Sequence, residues 1–228
     1  MTASVNIEPE IIPLRGVRAM IANNMRKSLD EAAQLTHHAE CDATALFDKK
    51  AKLAESGIKI SVEDLIADVV INTLKQHPDL NGRVEPKEIH LYSNIHLSMA
   101  MALPGNLLVA PTIFNADKMD IETRANARKD LAQRAKINKL TVPEMTGGTF
   151  TISNLGLSRV SHFTPIINIP QIAILGVGQT KDKPWVMADK SIAIRKIMGL
   201  SLTFDHRAVD GAPAGAFLTD LCNAIEQS

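Results

Sequence analysis

Leu200-Ser-Leu-Thr-Phe-Asp-His206-Arg-Ala-Val-Asp210-Gly-Ala-Pro-Ala-Gly-Ala-Phe-Leu218 contains two structural periods and the break between them. The apolar run from Ile192 to Phe204 reads as a strand. Beyond the break, Ala214, Phe217, Leu218, Leu221 and Ile225 recur at helical spacing over Pro213 to Glu226, with Pro213 suited to the first turn. His206 therefore falls on the connection at a strand end, where a rigid scaffold presents side chains to a cleft. Histidine is the side chain whose ordinary pKa of about 6.5 supplies a neutral base near physiological pH. Asp210 shares the loop and is placed to fix its shape or the imidazole tautomer, and Gly211 permits the tight entry into the helix. Taken alone, His-x-x-x-Asp-Gly fits a turn with a helix-capping Asp as well as it fits a catalytic site.

Outward from this stretch, strands are expected at Gly148 to Ser153, Gln171 to Val177 and Trp185 to Ala188. Ile95 to Leu103 alternates large apolar with small or polar residues and predicts a strand. Pro104-Gly105-Asn106 then turns the chain into a second strand, Leu107 to Phe114. Helices are expected from Val17, where Met20, Ile21, Met25 and Leu29 share a face, at Asp42 to Ala54, and at Met119 to Lys136. Ser61 caps another, with Asp64 three residues on, and Val62, Leu65, Ile66, Val69, Val70 and Leu74 form its stripe before Pro78. The helix over the first segment is read as continuing through Ser28 to Thr36, with His37 and His38 solvated at its end. Residues 1–11 read as an arm and 12–228 as one domain. Helices first and strands later suggest an α+β or mixed-sheet fold.

The 228 residues are 45% hydrophobic and 22% charged, as in an ordinary soluble protein. Lys plus Arg and Asp plus Glu are 25 each, which offers no basic footprint for nucleic acid or an anionic membrane. No run approaches the roughly 18 apolar residues of a membrane span. Cys41 and Cys222 have no metal-ligand spacing and are expected as two reduced thiols in a cytoplasmic protein. No metal is expected.

The Leu200 to Leu218 string resembles the active-site segment of the 2-oxo acid dehydrogenase acyltransferases, which share a fold with chloramphenicol acetyltransferase. Gly147-Gly-Thr-Phe-Thr-Ile-Ser-Asn-Leu-Gly156, Pro165-Ile-Ile-Asn-Ile-Pro-Gln-Ile-Ala-Ile-Leu-Gly176 and Ile12-Pro-Leu-Arg-Gly-Val-Arg-Ala-Met-Ile-Ala22 resemble three further segments of that family, in order. The resemblance implies a two-layer mixed sheet with helices on one side, assembled as a trimer. It implies acyl transfer, acetyl above all, between coenzyme A and dihydrolipoamide, the lipoyl group being supplied by another domain or chain of a 2-oxo acid or acetoin dehydrogenase system.

The resemblance also assigns roles. His206 is the general base that ionises a thiol. Ser153 is the hydroxyl that stabilises the oxyanion. Asp210 holds the loop and exchanges no proton. In the homotrimer His206 of one chain faces Ser153 of its neighbour. Asn154 and Gly156 read as turn residues, and His162 is retained as a lining residue. No lipoylation site precedes the domain and no apolar tail follows Asn223-Ala-Ile-Glu-Gln-Ser228, so an isolated trimer is expected rather than a larger shell. Two alternatives are a free-standing chloramphenicol-type acetyltransferase and a non-catalytic core subunit.

Overall fold

A computed structural model describes residues 9–105 and 107–228. In chain order it contains α1 (Gly16–Glu31), β1 (Gln34–Asp42), α2 (Thr44–Glu55), α3 (Val62–Leu74), β2 (Gly82–Glu85), β3 (Glu88–Leu91), β4 (Leu97–Met99) and β5 (Met101–Leu103). There follow β6 (Leu107–Val109), β7 (Thr112–Ile113), α4 (Ile121–Lys136), α5 (Val142–Thr146), β8 (Phe150–Asn154), β9 (Ala173–Val186), β10 (Ile192–Asp205) and α6 (Gly211–Glu226). A mixed sheet runs β1-β10-β9-β8-β4-β7, with β2-β3 and β5-β6 as separate ribbons. Most of the arm expected over 1–11 lies outside the described residues, and Ile11, Ile12 and Leu14 beside it are exposed.

The register sorts the two faces of the sheet. Ile152 stands beside Leu175, and Leu175 beside Leu202, while Phe204 pairs with Ala173. All are buried in the main core, and Phe150 on the same face meets Phe217 of α6. The opposite face carries smaller or polar residues, with Thr151 beside Ile174 and Thr203, and Ser153 beside Gly176 and Ser201. Period-two alternation separates them.

Helices α2, α3 and α6 supply Leu46, Leu65, Ile66, Val70, Phe217 and Leu221 to the first face. The expected capping box at Ser61 is present, with Asp64 N donating to Ser61 Oγ at 3.2 Å and Ser61 N to Asp64 Oδ2 at 3.0 Å. Helices are not confined to one side. Residues of α1 and the segment 163–168 line a cavity together with Thr151, Ser153 and Ile174, so α1 lies over the other face.

Other expectations are corrected. The first helix stops at Glu31, and Gln34–Asp42 is an edge strand paired with β10. On α1, Met20 and Leu29 are exposed, and its buried residue is Ser28, whose Oγ donates to Ile167 O at 2.6 Å. The segment Ile95 to Leu103 divides into β4 and β5, and Leu107 to Phe114 into β6 and β7. The two segments expected from Gln171 to Ala188 are one long strand, β9. Among the described residues no helix is long and apolar enough to cross a membrane.

Candidate active site

His206 is the first residue after β10. Its N–H donates to Ala33 O at 2.8 Å, which fixes the strand exit against the α1–β1 connection. The imidazole remains half exposed, with Nδ1 3.5 Å from Asp210 Oδ1. That separation exceeds an ordinary hydrogen bond. Asp210 occupies the N-cap position of α6 without a capping side-chain bond, and its side chain is 84% exposed.

What shapes the loop is Asp205, which carried no assigned role in the sequence. Its buried carboxylate accepts from Ala33 N at 3.2 Å and from Arg207 N and Nε at 3.0 Å each, while Arg207 Nη2 donates to Oδ2 at 2.5 Å. The same pairing raises the pKa of Arg207. The available signal was a carboxylate ending an apolar strand, since a buried charge requires a partner.

Ser153 lies near the end of β8 and opens into a cavity of about 310 Å³. Ile21, Met25, Phe163, Pro165 and Ile174 give the cavity apolar walls, and Asn24, Asn168 and Thr151 add polar groups. Among the described residues no hydrogen bond engages the Ser153 hydroxyl. Asn154, read as a turn residue, is the last residue of β8, and its Oδ1 accepts from Gly156 N at 2.7 Å in the turn that follows.

The chain does not bring His206 and Ser153 together. Ser153 pairs with Gly176, Gly176 with Ser201, and β10 continues to Asp205. Four residues along a strand and two strands across place the Ser153 and Asp205 Cα atoms roughly 16 Å apart. The two also face different surroundings: Ser153 the α1-covered cavity, His206 the open β10–α6 loop.

Three of the remaining histidines gather near the β1–β10 edge, where His38 is exposed and His37 half-buried. His37 packs edge-on against Phe204 with ring centroids 5.0 Å apart. His38 Nδ1 lies 2.9 Å from Ser201 Oγ, and burial first, then His162 and His37, lower its pKa. His162, retained as a lining residue, instead points its Nε2 at Ala39 O, 3.1 Å away, and is not among the cavity's walls.

The architecture is that of the chloramphenicol acetyltransferase class. A chloramphenicol acetyltransferase structure superposes with a TM-score of 0.57 at 15% identity over 90% of this chain and 92% of that one, which establishes the fold alone. Within that class, residues 6–228 match the model of the 2-oxoacid dehydrogenases acyltransferase catalytic domain, and the chain belongs to that family. The dihydrolipoyllysine-residue acetyltransferase component of the acetoin cleaving system of Bacillus subtilis is 38% identical, over 95% of this chain and 55% of that protein. The corresponding pyruvate dehydrogenase component of Mycobacterium tuberculosis is 38% identical, over 92% of this chain and 40% of that protein. The chain thus spans about half the length of such relatives.

Among solved structures, a probable dihydrolipoamide acetyltransferase from Listeria monocytogenes superposes with a TM-score of 0.89 at 34% identity, covering 96% of this chain and 95% of that one. The dihydrolipoamide acetyltransferase of Azotobacter vinelandii gives 0.89 at 31%, covering 98% and 93%. Its crystallographic and enzymatic study concerned a serine, a histidine and an asparagine in the catalytic mechanism.

Proposed function

We propose that this chain transfers an acetyl group between dihydrolipoamide and coenzyme A, each active site being completed by His206 of one subunit and Ser153 of a neighbour in a homotrimer. The observation that carries the reading is the separation of these residues within one chain. Each has the chemistry of half a site and neither has the other within reach. In the Azotobacter enzyme the histidine precedes the asparagine by four positions, the spacing of His206 and Asp210 here. Asp210 stands where that pattern has an amide.

Both thiols are substrates. One wall of their meeting place is the apolar cavity beside Ser153, which suits the uncharged arms that carry them. His206 takes the proton of the attacking thiol, because the thiolate is the nucleophile and an ordinary thiol is mostly protonated at neutral pH. The Ser153 hydroxyl donates to the thioester oxygen as negative charge develops there. Asp205, through Arg207 and Ala33, holds the strand exit that aims the imidazole. Asp210 lies too far for a hydrogen bond and supplies a negative charge near Nδ1 without taking a proton.

A lipoyl group delivered by another domain or chain, as in a pyruvate or acetoin dehydrogenase system, is the acceptor. A cytoplasmic setting suits two free thiols. Transfer of acetyl from acetyl-CoA to dihydrolipoamide tests the reading, with wild type set against His206→Ala. A fall of roughly 10²–10⁴-fold at unchanged thermal stability is expected. Equal rates in the two proteins would remove His206 from the mechanism.

A further inference from the structure

Cys41 and Cys222, remote in sequence, meet where β1 packs on α6. Leu35, His37, Ala39 and Cys41 share one face of β1, because their partners Phe204, Leu202, Leu200 and Met198 are buried on the α6 side. The far end of α6 is tied to this edge by Asp42 N, which donates to Glu226 Oε1 at 3.1 Å. Cys222 lies one helical turn before Glu226 and packs against the same core, near enough to Cys41 for the two thiols to interact. Both are free thiols. Cys41 is fully buried and Cys222 partly exposed.

We propose that Cys41 and Cys222 form a redox-active dithiol, oxidised by a hydroperoxide to a disulfide that staples α6 to β1. Cys222 reacts first, since Cys41 is fully buried and Cys222 is not. The Cys41 thiol, by hydrogen bonding, lowers the pKa of Cys222, while that bond and burial raise the pKa of Cys41. The Cys222 thiolate attacks one peroxide oxygen, the O–O bond breaks, and the leaving oxygen departs as water or alcohol after taking a proton. This leaves a sulfenic acid on Cys222. Cys41 then gives up its proton and attacks the Cys222 sulfur, expelling hydroxide, which the released proton converts to water. The two thiols thereby lose two protons and two electrons to the peroxide. A dithiol reverses the reaction by exchange.

The staple joins the edge strand to the C-terminal half of the helix whose first turn follows the His206 loop. It crosslinks nearly the whole chain and raises the midpoint of thermal unfolding. The test exposes the intact folded protein to hydrogen peroxide, blocks free thiols with an alkylating agent, and maps peptides by mass spectrometry without reduction. A Cys41–Cys222 crosslinked peptide that disappears on adding dithiothreitol is expected. In Cys41→Ser, and in Cys41→Ala as a second packing variant, Cys222 proceeds to sulfinic and sulfonic acids. Wild type that accumulates those acids at Cys222 with no crosslinked peptide, or in which neither cysteine is oxidised, would overturn the proposal.

Discussion

Asp205 and Arg207 clasp each other across the backbone of His206: the Asp205 side chain is 2% exposed, and Arg207 reaches it with its backbone N–H, Nε and Nη2. The strand exit is thereby set by residues that need not touch substrate. Asp205→Asn keeps the shape but weakens the clasp. A 1 Å displacement of a catalytic group costs about 10²-fold, so kcat should fall by that order with KM for coenzyme A little changed. Steady-state kinetics distinguish this from a binding defect, in which KM rises and kcat holds.

Ser153→Ala removes a hydroxyl that has no hydrogen-bond partner among the described residues. It should leave thermal stability within experimental error and lower kcat by about 10²-fold, as loss of one oxyanion donor does. An undiminished kcat would move the donor elsewhere.

His38 carries a pH signature. Burial, then His162 and His37, hold its pKa below the usual 6.5. The unfolded chain therefore takes up the proton first. Stability contributed by neutral His38 is complete above pH 6.5 and falls as the pH drops through that value, levelling once folded His38 protonates. Thermal midpoints from about pH 7.5 to 5.5 should fall less steeply in His38→Asn than in wild type. Parallel curves would clear His38 of the effect.

The start of α3 rests on a charged pair. Burial alone would raise the pKa of Asp64, but Arg128 and Ser61 outweigh it and hold it below the usual carboxylate value. Arg128 donates through Nε to Asp64 Oδ1 at 2.6 Å, and Asp64 is 3% exposed. Arg128→Met strands that carboxylate and should cost roughly 3 kcal/mol in denaturant unfolding. A change below about 0.5 kcal/mol would show water taking the place of Arg128.

What the sequence revealed follows from where one chain buries its own side chains. The β10 exit, the helix after it and the Ser61 box were legible, since period and capping chemistry are local. The strand β1 was not, because the residues on its α6 side are Leu35, which is 40% exposed, His37, Ala39 and Cys41, too mixed to show apolar alternation. On α1 the apolar pattern was real but did not predict burial: Met20 is 62% exposed and Leu29 52%. The polar run Lys181-Asp-Lys-Pro184 masked the length of β9, whose outer half pairs with β10 as a ribbon beyond the core. For the site, His206 and Ser153 were named from a family resemblance. The role of Asp205 required the fold, since its partner Ala33 is remote in sequence and meets it across the β1–β10 edge.

The most direct test of a site shared between subunits is complementation. His206→Ala and Ser153→Ala chains, each expected to retain about a hundredth of wild-type activity or less alone, are unfolded together in equal amounts, refolded, and assayed for acetyl transfer to dihydrolipoamide. In a randomly mixed trimer one interface in four joins an intact His206 to an intact Ser153, so about a quarter of wild-type activity should return. A mixture that assembles into mixed trimers yet stays as inactive as the separate variants would contradict the shared site.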